Sequence, residues 1–207
     1  MIKSAEGSDI MNQEELNKIY DKLKSLNHQE LRELVVKLLT ENEQLKQDIL
    51  IDNLTKTYNR NALSKNIKYD VLAMCDIDDF KTINDTYGHQ TGDDLLIDVA
   101  KNLSKILRSD DKLIRYGGDE FTILFKNCSI EDIKRKLDRI KEGYFQNNQI
   151  NIKITMSFGI TEYTEGKDLE EAISEADHAL YRSKKKGKNA VTIYEKDKNN
   201  SLIKTII

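Results

Sequence analysis

The chain has no proline, which removes rigid linkers and leaves long helices uninterrupted. Its only cysteines, Cys75 and Cys128, stand in no CxxC spacing. Neither a disulfide framework nor a structural zinc site is expected, and the thiols fit a reducing cytoplasm. Long apolar runs are missing too. The longest, Val71 to Cys75, has five residues, against the roughly 20 that a spanning helix needs. The first ten residues hold no apolar core of a secretory signal. Nor is there an excess of one charge: 33 basic and 36 acidic side chains leave a net −3. That balance gives no electrostatic case for nucleic acid or an anionic membrane as partner. What is present is an apolar share of 38% in 207 residues, enough for one domain with a real core plus an appendage, and too much for wholesale disorder.

Residues 1–11 read as a frayed, disordered end, and residues 12–51 as helical. Leu16, Ile19, Leu23 and Leu26 recur at steps of three and four. Asn27 followed by Glu30 has the form of a capping box that restarts a helix. Beyond it Leu31, Val35, Leu38, Asn42, Leu45 and Ile49 keep alternating steps of four and three, an a/d seam with a polar residue at one a position. Such a seam suits a self-associating coil; a helix packed within its own chain, or a hairpin with residues 12–26, is the other reading.

From Asp52 the character changes. DNLTKTYNRNAL is rich in turn and cap residues, with Asn59 as the N-cap of a short helix. The following pattern predicts a strand at Asp70–Cys75, helices at Asp79–Tyr87 and Thr91–Arg108, a hairpin of Lys112–Tyr116 and Glu120–Phe125, and a helix at Ile130–Glu142. A strand at Ile150–Gly159, a helix at Leu169–Lys186 and a strand at Ala190–Tyr194 follow. The order βααββαβαβ implies an α/β (α+β) domain with helices packed on a mixed sheet.

Two acidic clusters fall where strands end. CDIDDF places Asp76, Asp78 and Asp79 directly after the apolar run, and RYGGDEF places Asp119 and Glu120 after two glycines that permit a tight turn. Carboxylates at the end of a buried strand suit a hard cation, which takes its remaining ligands from water and phosphate. On adjacent strands the two clusters would suit two-metal phosphoryl chemistry. Between them, FKTINDTYGHQTGDDLL gathers Lys81, Asn84, His89 and Asp93, the last expected in the first turn of the long helix.

DIDDFKTINDTYGHQTGDDLL, RYGGDEF, ITMSFGIT and ADHALYRSKKKGKNAV, preceded by DNLTKTYNRNAL, together resemble the GGDEF-domain diguanylate cyclases. The resemblance runs over residues 52–195, leaving 196–207 as a tail. It implies the palm-like fold of nucleotide polymerases and cyclases, and condensation of two GTP into cyclic di-GMP with release of pyrophosphate by a homodimer. By that resemblance Asp76, the carbonyl of Ile77, Asp119 and Glu120 hold two Mg²⁺ (or Mn²⁺), and Asp119 is also the base for the 3′-hydroxyl. Asn84 and Asp93 match the pair that reads guanine, with His89 in the same pocket. A carboxylate at Asp93 accepts from guanine N1–H and N2–H₂ and leaves adenine unpaired, which favours GTP over ATP. Lys81, Lys184 and Lys188 match side chains on the triphosphate. Lys188 stands where arginine is common in the family, so the charge is kept and the bidentate fork lost. Arg108 and Asp111 form an RxxD, nine residues ahead of Gly117, at the spacing of the family's inhibitory product site, with Arg139 as a second arginine. The alternative function is a catalytically inactive module that binds cyclic di-GMP or GTP as a receptor. An intact Gly117–Phe121 signature favours the enzyme.

Overall fold

The computed structural model describes residues 13–63, 68–146 and 150–196. The expected disorder of residues 1–11 and nearly all of the expected C-terminal tail lie outside the described residues. The chain divides into two compact units, Met1–Ile49 and Leu50–Ile207.

The first unit is helical. α1 spans Gln13–Ser25 and α2 spans His28–Leu50. The capping box forms: Asn27 Oδ1 accepts from the Gln29 and Glu30 N–H groups at 2.9 and 3.0 Å, and Glu30 Oε2 accepts from the Asn27 N–H at 2.8 Å. Among the described residues α1 does not pack along α2. Leu31, Val35 and Leu38 of the seam are 38, 47 and 54% exposed. No described helix is long and apolar enough to cross a membrane.

The second unit is built on a seven-stranded mixed sheet of order β1-β3-β4-β2-β6-β5, with β7 also paired to β6. β1 is Tyr58–Asn59, β2 Val71–Ile77, β3 Lys112–Gly117, β4 Glu120–Phe125, β5 Glu142–Gln146, β6 Asn151–Glu162 and β7 Val191–Ile193. The helices are α3 Phe80–Tyr87, α4 His89–Ser104, α5 Ile130–Asp138 and α6 Leu169–Lys185. β2 lies centrally, antiparallel to both β4 and β6. All seven of its residues are buried because both faces are covered. Val71, Ala73, Cys75 and Ile77 meet Leu95, Leu96, Val99 and Leu103 of α4 and Ile130, Ile133 and Leu137 of α5. Leu72 and Met74 meet Leu169, Ala172, Ala176 and Leu180 of α6. Truncating one of these leucines, Leu103 for example, is a change that costs about 2–5 kcal/mol.

Several expected boundaries move. α4 begins at His89, not Thr91, because Gly88, at φ +86°, ends α3 and starts α4 in a single residue. It ends at Ser104, four residues before Arg108. The Asn59 cap forms, accepting from the Asn61 N–H at 2.9 Å, on a single 3₁₀ turn, Arg60–Ala62. The helix expected to reach Glu142 stops at Asp138, and Glu142–Gln146 becomes a strand paired with β6. β6 runs on to Glu162 along β2.

Candidate active site

Side chains alternate along a strand, so Asp76 shares the face of Leu72 and Met74 and points toward α6. Register places Asp76 directly opposite Glu120 of β4. Directly opposed residues share a face, and like charges there repel. α6 supplies one counter-charge: Lys184 Nζ donates to Asp76 Oδ2 at 2.6 Å. Burial pushes the Asp76 carboxyl above its ordinary value; Lys184 opposes the rise and the nearby Asp119 charge adds to it. Glu120 is raised in the same way, first by burial and then by Asp76 and Asp119.

The turn at the tip of the β3–β4 hairpin is held from behind. Arg115 donates through Nε and Nη2 to the Gly118 carbonyl at 3.0 and 2.8 Å, and through Nη1 to Asp52 Oδ1 at 3.2 Å. Burial alone would raise Asp52, but hydrogen bonds from Thr55 and Arg115 outweigh it and hold its carboxyl below the usual value. The turn that carries Asp119 is therefore tied to the 52–57 loop, a link between two sequence motifs.

The CDIDDF cluster does not act as one group. Asp78, 5% exposed, is engaged: its carboxylate accepts from Thr155 Oγ1 and Ser157 Oγ, both at 2.7 Å, and from the Asn189 N–H at 2.9 Å. Three protein donors take up most of its acceptor capacity. Asp79, in the left-handed region at φ +59°, pairs with Lys188 Nζ at 2.6 Å. That carboxylate holds the Lys188 ammonium above its usual value. Ile77 ends β2 with its side chain in the core.

Asn84 and Asp93 sit at the α3–α4 joint. Asn84 Oδ1 is buried without a hydrogen-bond partner, an orphan that points to a missing donor. Asn84 lies so close to Gly92 that a Cβ there would come 1.8 Å from its Oδ1, so any larger residue would displace the Asn84 amide. Asp93 follows, half-buried, in the second turn of α4, not the first, since the helix starts early. His89 and Lys81 are exposed.

A cavity of about 360 Å³ adjoins the acidic pair, lined by Glu120, Asp177, His178, Leu180, Tyr181 and Lys184. Asp177, His178 and Tyr181 were not singled out from the sequence. A lone helical face of mixed polarity carries no signal until the sheet beside it is known.

Arg108 and Asp111 line a separate cavity of about 390 Å³ with Cys128, Asp132 and Lys136. Both Asp111 oxygens are engaged: Oδ2 accepts from the Arg108 N–H at 2.9 Å and Oδ1 from the Lys126 N–H at 3.0 Å. Arg139 lines a different cavity, between α4 and β5 with Asn102 and Tyr144, so the two arginines are not gathered into one cavity within the chain.

The donor set at the end of β2 is all oxygen. Asp76 and Glu120 face each other with raised carboxyls, Asp119 stands near, and a lysine ammonium occupies Asp76. Among the described residues no three His, Cys, Asp or Glu side chains close around a point. An open pair of carboxylates, completed by water and phosphate oxygens, is how Mg²⁺ is usually held. The residues therefore fit such a cation.

Residues 49–190 match the sequence profile of the family described as diguanylate cyclase, GGDEF domain. Diguanylate cyclase A of Treponema denticola is 40% identical over 136 residues, covering 62% of this chain and 35% of that protein. The chain spans between 23 and 45% of the length of the curated relatives compared. Among solved structures, the GGDEF domain of DgcB from Caulobacter crescentus, in complex with c-di-GMP, superimposes with a TM-score of 0.65 at 32% identity, covering 71% of this chain and 94% of that one. The form of DgcB containing coiled coil and GGDEF domain, also with c-di-GMP, gives a TM-score of 0.69 at 28% identity, covering 87% of this chain and all of that one. Family members are generally metal-dependent. With its palm-like sheet, opposed acidic pair and glycine-turn hairpin, this chain belongs to the GGDEF-domain diguanylate cyclase family.

Proposed function

We propose that the chain is an active diguanylate cyclase that condenses two GTP into cyclic di-GMP and two pyrophosphates as a two-fold dimer. The observation that carries this reading is the opposition of Asp76 and Glu120 across β2 and β4, with Lys184 hydrogen-bonded to Asp76. A bound cation would relieve that repulsion.

Each subunit offers half of a reaction centre. Asp93 accepts from the guanine N1–H and N2–H₂ donors, and Asn84, with its orphaned buried oxygen, takes part in the same recognition. Lys81, Lys184 and Lys188 neutralise triphosphate oxygens. Lys184 and Lys188 hold Asp76 and Asp79 in the free protein and exchange those partners for phosphate. Asp119 accepts the proton of the 3′-hydroxyl. The resulting oxygen of one GTP attacks the α-phosphorus of the other in line, and pyrophosphate leaves; the mirrored step closes the ring. Asp76, Asp119, Glu120 and the Ile77 carbonyl would hold two Mg²⁺. When bound, the ions neutralise charge on the phosphates and acidify the attacking hydroxyl.

Two half-sites must meet face to face, and the exposed seam of α2 suits pairing of two copies. Feedback through Arg108 and Asp111 belongs to the same proposal: product held there would keep half-sites apart. The test is incubation of purified protein with GTP and Mg²⁺ followed by nucleotide chromatography. Cyclic di-GMP is the expected product. Nucleotide binding without turnover would leave the receptor reading in its place.

A further inference from the structure

The turn after α6 carries three consecutive left-handed residues: Gly187 at φ +112°, Lys188 at +66° and Asn189 at +45°. Glycine adopts such angles freely and asparagine at modest cost; lysine does so only where the surroundings impose them. Backbone bonds from the Gly187 N–H to the Lys184 carbonyl at 3.3 Å and from the Lys188 N–H to the Ser183 carbonyl at 3.1 Å hold the start of the turn; its far end is held by Glu142, which accepts from Asn189 Nδ2 at 3.0 Å, and by one buried carboxylate. Asp78 Oδ2 accepts the Asn189 N–H at 2.9 Å, and the same carboxylate takes the hydroxyls of Thr155 and Ser157, both at 2.7 Å. Its own N–H donates to the Thr155 carbonyl at 2.9 Å. One side chain thus joins the end of β2, two residues of β6 and the turn that carries Lys188. Lys188 in turn reaches back to Asp79, the next residue along.

We propose that Asp78 is a positioning residue: its carboxylate clamps the 187–189 turn in its left-handed form and so sets Lys188 where a triphosphate must lie. The proposal rests on the cyclase reading for the identity of that ligand. The clamp draws its strength from the carboxylate's charge. Three donors converge on it, whereas an amide with its oxygen on Thr155 and Asn189 and its NH₂ turned to the Ser157 hydroxyl makes only neutral, weaker bonds. The hydroxyls can rotate away, but the Asn189 N–H cannot.

The test compares the full chain with Asp78→Asn, Lys188→Ala and the double variant. Binding of a GTP analogue with a methylene bridge between the α and β phosphorus atoms is measured with Mg²⁺, together with KM, kcat and hydrogen–deuterium exchange. Asp78→Asn should weaken analogue binding about tenfold, near 1.4 kcal/mol. KM should rise and kcat at saturation change little. Exchange should speed up at residues 187–189 while the core strands stay protected. Lys188→Ala should bring a similar loss, and the double variant should be little worse than either single one, because both act through the same lysine. Losses that multiply, or unchanged exchange at 187–189, overturn the proposal. If Asp78→Asn does not fold, Ser157→Ala removes a single donor and should show the same pattern at about threefold; no effect there overturns it. A wild type that binds the analogue but makes no product removes the cyclase reading and leaves this test standing. One that does not bind the analogue overturns both.

Discussion

Buried charge lies at both ends of β2, and the two ends follow opposite rules. Where the strand begins, Leu72 pairs with Thr161, and beside that pair Glu175 of α6 is only 9% exposed. Glu175 accepts from the Thr161 hydroxyl at 2.6 Å and from Lys167, whose ammonium also donates to the Glu162 carbonyl at 2.7 Å. One acid meets one base there, with the spare valences filled. Where the strand ends, Asp76 and Glu120 oppose each other with Asp119 nearby, and among the described residues Lys184 is the cation hydrogen-bonded to the pair. Burial then lifts both carboxyls. The balanced end holds the fold together. The imbalanced end stores a repulsion that a cation from outside would relieve, as the proposed catalysis asks.

The strongest way to break this comparison is to remove an acid from the imbalanced end. Asp76→Ala or Asp119→Ala should lower cyclic di-GMP formation by roughly a thousandfold or more, the scale of electrostatic terms at a transition state, with circular dichroism unchanged. A folded Asp119→Ala enzyme of near-normal turnover would remove the metal assignment.

At the balanced end the same kind of change should act on stability instead. Glu175→Ala strands Lys167, and breaking a buried pair costs about 3 kcal/mol. The loss is read as a lower urea midpoint, with the initial rate kept while the protein is folded. A midpoint unmoved would show that the two ends do not differ as argued.

Arg115 sharpens the contrast, because it serves the acidic end without touching it. Arg115→Ala removes charge-assisted bonds to the Gly118 carbonyl and Asp52, for a loss of about 1.5–3 kcal/mol read in thermal melts. The pH dependence has a fixed sign. Asp52 is held below its ordinary 3.8, so the folded state favours its ionised form. That support is complete above the ordinary value and is lost as pH falls through the lowered one.

The smallest effect has the opposite sign. Glu120 is raised above its ordinary 4.5, so its ionisation in the folded state costs stability at neutral pH. Glu120→Gln should therefore stabilise the metal-free protein by up to about 1 kcal/mol, solvent screening keeping the gain small, while activity falls. The gain should shrink as pH drops through the raised value toward 4.5 and vanish below it. Urea midpoints of both proteins from neutral to acid pH make the comparison, and a constant difference would refute it.

Much of this arrangement was legible before the structure. The capping box at Asn27, the hairpin around Gly117 and Gly118, and the apolar run Val71–Cys75 are local patterns, and local patterns survive folding. What the sequence could not reveal depends on register. Asp76 and Glu120 are far apart in the chain, and nothing local says that they pair. Asp78 stood in the acidic cluster at the strand end with nothing to set it apart, because composition does not tell a carboxylate that is engaged from one that is open. β5 was hidden for another reason. Ile130, Ile133, Leu137 and Ile140 keep a helical period up to the strand, so nothing marked the stop after Asp138. The pairing of β5 with β6 then overrode the period.

Gly159 on β6 bears on all of this from a distance. A Cβ at that position would lie 2.1 Å from both the Ala176 carbonyl and the Leu180 amide, so α6 rests on the strand backbone itself. A helix seated that closely cannot slide along the sheet or roll about its axis. Eight residues separate Ala176 from Lys184, about 12 Å of helix at 1.5 Å per residue. That fixed length carries the contact at Gly159 to the ammonium at Asp76. An alanine at 159 would lift α6 away, and Lys184 would be displaced from Asp76 although no charged group had been altered.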